Sequence, residues 1–347
     1  MWTRALAHVV AAALPLAALA ASEGSRANAR RVAAEMGKSI VNIQIVSEDG
    51  GVRTSCARFS GFVLDENLVL TCAPDLADTL ARAKGVLEVT YDNLWSGKGS
   101  LLAVDAPTGL CLIRCEGNPQ PPPQLPLAAD TVPQSGTRVL TVANPFGIER
   151  SVRYGIVRAP LFCGEDSSSH CYELLLPAVP GEEGGIVCGL GGNFLGIIMP
   201  VRCQGAPAGG FAMASGAWPQ ATVLPGSAVS AIAKHLREGR RVLRGCIRAR
   251  FTISQAGDAP QVAVAAVTSG GPADEGGLKP GDVILEANGR KLATLKDLAE
   301  AALWIEYEGV GKDLLLTVMR AKAFTVPVKI AVGLKTEDAR KDGGRGD

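Results

Sequence analysis

The stretch 177–187, Pro-Ala-Val-Pro-Gly-Glu-Glu-Gly-Gly-Ile-Val, constrains this chain more than any other. Gly181, Gly184 and Gly185 bracket two adjacent glutamates. Glycines at this density suit a tight loop with positive φ, whose backbone N–H groups can turn inward on an anion. The composition points the same way. The 41 glycines and an aromatic share of only 5% suit many short strands joined by tight turns.

A chain of 347 residues can hold two or three domains with real cores. At 47% apolar and 20% charged it is globular, and a net charge of +1 gives no footprint for nucleic acid. Arg4, the apolar run Ala5 to Ala20 and the small residues Ala18-Leu19-Ala20 read as a cleaved secretory signal over 1–20. An uncleaved anchor ranks second, because the run falls short of the roughly 20 residues a span needs and Pro15 interrupts it. Later segments offer no span. Residues 21–37 are expected to be a flexible leader. Nine cysteines in an exported chain permit disulfides. Cys163 with Cys171, which flank one short loop, is the first pairing to expect; Cys188 with Cys203 and Cys56 with Cys72 follow. The alternative is that most are small buried hydrophobes. Neither a Cys-x-x-Cys nor a His-x-x-x-His spacing occurs, so no metal and no cofactor are expected.

Strand signals begin at Ser39. Ile40 to Val46 alternates with period 2, and Ser60 to Thr71 reads as a hairpin turning at Asp65 to Asn67. Val86 to Tyr91 and Gly97 to Val104 continue the pattern, with a proline-rich crossover at Glu116 to Pro126. Val229, Ile232, Ala233 and Leu236 recur at helical spacing before Gly239, giving a linker helix within 226–242. Asn288-Gly289 signals a two-residue hairpin, and Thr294 with Asp297 caps a helix to about Ile305.

The strings Gly136 to Gly147 (containing Ala143-Asn144-Pro145-Phe146-Gly147), Ser151 to Ala159 and 177–187 resemble, in order and spacing, the trypsin-like serine proteases of the HtrA/Deg family. Asn193 to Met199 and Gly209-Gly210-Phe211-Ala212 add to the likeness. The run Ser269 to Ile284 closely resembles a PDZ domain. The resemblance implies a mainly β fold: a trypsin-like double β-barrel over 38–225, then an α+β PDZ domain over 243–333. A charged tail over 334–347 is expected to be disordered.

At the catalytic positions the resemblance fails. The family places a nucleophilic serine where this chain has Glu183, a histidine base where it has Pro74, and an orienting aspartate where it has Gly109. Asp105 matches only a turn aspartate. Acyl transfer needs nucleophile, base and orienting carboxylate together. Gly181, Gly184 and Gly185 would keep the oxyanion-loop scaffold. Neither His170 nor His235 adjoins a serine in a strand-to-turn context, and Glu182 and Glu183 are expected to be solvated and to point apart. Cys188 is expected to be buried and structural.

What survives is peptide recognition. A PDZ domain adds an extended C-terminal peptide as a strand and holds its carboxylate on loop N–H groups. The resemblance assigns that loop to Cys246, Ile247, Arg248 and Ala249, with Arg248 where the family has glycine, and the groove wall to Leu298, Ala301, Ala302 and Ile305. The expected function is a catalytically inactive HtrA/Deg-like homologue in secreted or periplasmic quality control. It would bind peptides or protein C-termini, with a homo-oligomer or active relatives as further partners. Two alternatives remain open: an active endopeptidase with an atypical site, and an oligomerisation protein whose PDZ domain binds nothing.

Overall fold

The computed structural model describes residues 27–49, 52–127, 132–145, 150–161, 171–200, 220–255, 260–321 and 323–335. Where composition predicts a mobile leader, residues 27–37 form a helix, α1. Ala29, Val32, Ala33 and Met36 fall at helical spacing; the first three are buried, and Ala29 and Val32 join the central core. The Asn28 side chain donates to the Leu190 carbonyl at 2.7 Å, fastening the helix to the protein body. The proposed signal segment lies outside the described residues.

Six strands close the first barrel: β1 (Ile40–Asp49), β2 (Val52–Asp65), β3 (Leu68–Cys72), β4 (Val86–Thr90), β5 (Ser96–Asp105) and β6 (Leu110–Cys115), in the spatial order β1-β2-β3-β6-β5-β4. Helix α2 (Leu76–Ala83) covers one end. The period-2 alternation serves two cores. Val41, Ile43, Ile45, Val69, Cys111 and Ile113 fill the barrel, while Ile40, Phe62, Leu70, Leu110 and Leu112 face outward into a core shared with the second barrel.

The second barrel uses β7 (Arg138–Ala143), β8 (Ser151–Leu161), β9 (Cys171–Pro177), β10 (Ile186–Gly189), β11 (Phe194–Ile198) and β12 (Gln220–Pro225), closed as β10-β11-β12-β9-β8-β7. Its interior holds Val139, Val157, Tyr172, Leu174, Val187 and Val223. Leu140, Val142, Ile186, Phe194 and Ile197 meet the first barrel. The rings of Phe62 and Phe194 lie 5.8 Å apart across that seam. Burying each such side chain is worth about 1.5–3 kcal/mol.

Helix α3 (Gly226–Arg237) follows β12 and ends as the spacing predicts: Gly239 has φ +64°, and its N–H donates to the Leu236 carbonyl at 3.1 Å. Beyond it come β13 (Gly245–Cys246), β14 (Ala249–Gln255), β15 (Pro260–Val267), the short α4 (Pro272–Glu275), β16 (Val283–Ala287), β17 (Arg290–Lys291), α5 (Leu295–Tyr307), β18 (Asp313–Arg320), β19 (Phe324–Ala331) and β20 (Gly333–Leu334). Asn288 and Gly289 both take positive φ between β16 and β17, and Thr294 and Asp297 form a full capping box on α5. Strands β14-β15-β16-β18-β19 form one sheet with β14 at its edge. Leu334, assigned above to the charged tail, is ordered: β20 pairs with β13, and Lys335 reaches Glu306 at 2.8 Å.

The two units share a core. Ala228, Val229, Ile232, Ala233 and Leu236 of α3 pack with Ala299, Leu303 and Tyr307 of α5. Beside this seam lies a buried ion cluster. The Arg244 guanidinium donates to Asp105 Oδ2 at 2.6 Å, lies 3.7 Å from Glu306 Oε1, and sits 5.6 Å from the centre of the Tyr307 ring. Asp105 also accepts from the Thr108 hydroxyl. Asp105 is therefore more than a turn residue; it anchors the PDZ unit to the first barrel. No helix among the described residues is long and apolar enough to cross a membrane.

The disulfide expectations need correction. Cys56 is a free, exposed thiol whose Sγ lies 3.3 Å from the Ser47 hydroxyl, whereas Cys72 is buried in the barrel seam, so the two are not paired. Cys188 is a free thiol buried in β10, and Cys203 lies outside the described residues. Burial pushes the Cys188 thiol up to about 12, consistent with an inert structural role. Cys171 is buried with its Sγ 3.3 Å from Met199 Sδ, and Cys163 lies outside the described residues.

Candidate functional site

The loop that opened the sequence analysis joins β9 to β10 and lies between the barrels. Gly184 takes φ +83° and fits against the first barrel so closely that a Cβ there would lie 2.1 Å from the Ser60 carbonyl oxygen and 2.3 Å from the Thr71 hydroxyl. Gly181 takes φ +85° against the Pro145 carbonyl. Gly185 has ordinary φ but lies under Ala143, where a Cβ would come within 2.7 Å of the alanine methyl.

Ser60 holds the loop in place. It is fully buried in β2. Its N–H donates to the Glu183 carbonyl at 3.0 Å, and its hydroxyl donates to the Gly181 carbonyl at 2.7 Å. Its hydroxyl accepts from the Asn144 N–H at 2.9 Å, and its carbonyl accepts from the Thr71 hydroxyl at 2.6 Å. Sequence reading placed Ser60 only as the start of a hairpin. Its four partners lie 11 to 123 residues away, and no local pattern encodes them.

The first barrel contributes the end of β3 and the turn before β6. Ala73 N–H donates to the Gly109 carbonyl at 2.8 Å. Gly109, at φ +77°, lies directly against the ring of Pro74: a Cβ on Gly109 would lie 2.8 Å from Pro74 Cδ and 3.0 Å from its N. Gly184 meanwhile approaches the Cys72 N, two residues before Pro74, with its Cβ position 3.0 Å away. Pro74, Gly109 and the Glu183 loop thus converge on one mouth between the barrels.

The Glu183 carboxylate folds back on its own loop. Its Oε2 accepts from the Gly181 N–H at 2.6 Å, and its own backbone N–H also donates to it. Burial raises the pKa of the carboxyl, opposed by these two donors. Glu182 is also buried, at 1% exposed, and pairs with Arg153 of β8 while accepting from the Ser151 hydroxyl at 3.2 Å. The expectation of a solvated side chain is therefore wrong for Glu182, while Glu183 is half-buried. Residues 29 and 31 positions upstream supply the partners that permit burial. His235 sits on α3 with Nδ1 2.9 Å from the Ala231 carbonyl, and His170 lies outside the described residues. Among the described residues no group of three His, Cys, Asp or Glu side chains could hold a metal ion.

Two protein families match this chain: the trypsin-like peptidase domain over residues 59–197 and the PDZ domain over residues 263–320. Among solved structures, HtrA-type protease AlgW with tripeptide superposes with a TM-score of 0.57 at 20% identity, covering 88% of this chain and 97% of that one. The fold is that of an HtrA-type protease. AlgW with decapeptide gives a TM-score of 0.53, also at 20% identity and 88% of this chain, covering 98% of that one. A probable periplasmic serine endoprotease DegP-like of Pseudomonas fluorescens is 27% identical over 74% of this chain and 54% of its own length. The putative protease Do-like 14 of Arabidopsis thaliana is 24% identical over 86% of this chain and 70% of its own. The chain spans about half the length of the DegP-like relatives it matches.

In this HtrA-type fold the PDZ loop 246–249 connects β13 to β14. Ile247 is buried, and its carbonyl accepts from the Ala273 N–H at 3.0 Å. Arg248 adopts φ +55°, the left-handed conformation that glycine takes without cost, and its exposed side chain lies along the turn at Gly271. Leu298, Ala301, Ala302 and Ile305 share one half-buried face of α5. The opposite face, Ala299, Leu303 and Tyr307, is buried against α3 and the barrels, which the sequence reading missed.

Proposed function

We propose that this chain is a non-catalytic HtrA/DegP-like homologue that acts outside the cytoplasm and binds peptides or protein C-termini through its PDZ domain. What supports the reading is that Gly109 packs against Pro74 while Gly184, next to Glu183, approaches Cys72 two residues before Pro74, and Pro74, Gly109 and Glu183 carry none of the base, orienting carboxylate and nucleophilic hydroxyl that acyl transfer requires. Proline has no side-chain base, glycine has no side chain, and a hydrogen-bonded carboxylate does not attack an amide. Recognition keeps its parts: an edge strand, β14, open to an added strand, a loop of backbone donors, and an apolar helix face.

The test uses one preparation of the full chain twice. A fluorophosphonate probe labels no serine and casein stays intact, while an array of C-terminal peptides gives saturable binding. Glu183→Ser alone also gives no turnover, because base and orienting carboxylate are still missing. Measurable cleavage by that variant would overturn the assignment of Pro74 and Gly109.

Arg248 gives a further check on the groove. Its guanidinium can supplement the loop N–H groups as a donor to a C-terminal carboxylate. Arg248→Gly relaxes the left-handed backbone but removes that charge. Peptides with a free carboxylate should then bind about tenfold more weakly, equivalent to about 1.4 kcal/mol, while their C-terminal amides are unaffected. Equal losses for acid and amide in a calorimetric titration would place Arg248 outside the carboxylate site.

A further inference from the structure

We infer that the loop 180–185 is an anion site that the chain has filled with its own side chain: the Glu183 carboxylate stands where a substrate oxyanion would otherwise be held. In a serine-protease loop, the oxyanion is held by the N–H of the nucleophile and the N–H two residues before it. In this chain those donors belong to Glu183 and Gly181. The Gly181 N–H donates to Glu183 Oε2 at 2.6 Å, and the Glu183 N–H lies beside the same carboxylate and favours its charged form.

The rest of the loop leaves that carboxylate little choice of partner. The first-barrel residues that touch the loop are the uncharged Ser60, Thr71 and Cys72. Its charged neighbour among the described residues is Glu182, already paired with Arg153 of β8. Convergent N–H groups in a partly desolvated loop need an acceptor. Ser60 fixes the carbonyls of Gly181 and Glu183, while the Glu182 and Gly184 N–H groups donate to Val179 and Ile198, so the turn is held and the Gly181 N–H is left to the carboxylate. An anion placed there satisfies it. The substitution at the serine position therefore does two things. It removes the nucleophile, and it supplies the ligand that keeps the loop in its anion-binding shape while closing it to an external carbonyl.

This inference rests on the non-catalytic reading, and its test is independent of turnover. In the uniformly labelled full chain, nuclear magnetic resonance follows the Gly181 and Glu183 amide protons and the Glu183 carboxyl carbon through an acid titration. All three should move together at a single midpoint above the ordinary glutamate range. In Glu183→Ala the Gly181 amide should sit upfield, and added acetate should return it downfield in a saturable way; acetate should leave the wild-type signal in place. If the wild-type amides ignore the Glu183 titration, or acetate moves Gly181 equally in both proteins, the site is not self-filled. Either result would leave the fluorophosphonate and casein outcomes unchanged, so failure here is distinct from failure of the non-catalytic reading.

Discussion

Arg244→Met should destabilise the full chain by about 3–5 kcal/mol, the usual cost of removing one member of a buried ion pair. Asp105 is 5% exposed and Glu306 is 1% exposed, and the guanidinium lies between them. With Arg244 gone, Glu306 keeps Lys335 at 2.8 Å and the Asp105 carboxylate keeps the Thr108 hydroxyl. A charge left buried without its counter-ion either takes up a proton or forces the seam open to water. Urea denaturation should show a lower midpoint. Adding Asp105→Asn should recover part of the loss, because it removes the charge that the missing guanidinium leaves exposed to a low dielectric. An unchanged midpoint for Arg244→Met would mean that these carboxylates reach water without any packing cost.

Gly184→Ala is the second large effect, expected at about 2–5 kcal/mol. Holding an alanine in the left-handed region costs about 1–2 kcal/mol. Overpacking adds about 1–3 kcal/mol more, since the new methyl would meet the Ser60 carbonyl oxygen at 2.1 Å, a backbone atom with no rotamer to escape into. The loop must move off the first barrel, which breaks the Ser60 N–H to Glu183 bond and the Gly184 N–H to Ile198 bond, the latter 2.9 Å long. A drop in thermal midpoint measures the effect. Gly136→Ala gives the comparison: Gly136 also takes positive φ, at +84°, but a Cβ there meets nothing within 4 Å. It should lose only the conformational part. Equal losses at the two positions would show that close approach to Ser60 contributes nothing.

The strands and turns were readable because their signals are local. A period-2 run marked β1, and strings resembling the family covered β7 and β8; Asn288-Gly289 marked the β16–β17 hairpin, and Thr294 and Asp297 the start of α5. Helix α1 was missed although Ala29, Val32, Ala33 and Met36 carry the right spacing, because small polar and basic neighbours masked a short stripe. The mouth itself was legible in part. Pro74, Gly109 and Glu183 were placed by the strings around them; Gly109 packs against Pro74, and Gly184 beside Glu183 approaches Cys72. What the sequence withheld were contacts set only by tertiary folding: Ser60 with Gly181 across 121 positions, Arg153 with Glu182 across 29, and Arg244 with Asp105 across 139. Pairing of this kind has no periodicity to read. It also explains the error over Glu182, whose burial makes sense only once Arg153 is beside it.

The alternation that lets one strand serve two cores has a consequence for how such a protein can change. Pro74 and Gly109 occupy turns beyond the ends of β3 and β5, and Glu183 tops a loop before β10; none of the three belongs to either apolar interior. Reactivity and architecture are therefore written in separate letters of the same text. Erasing the first leaves the second standing, whereas inserting a single residue into β3 or β6 would turn both interiors inside out at once.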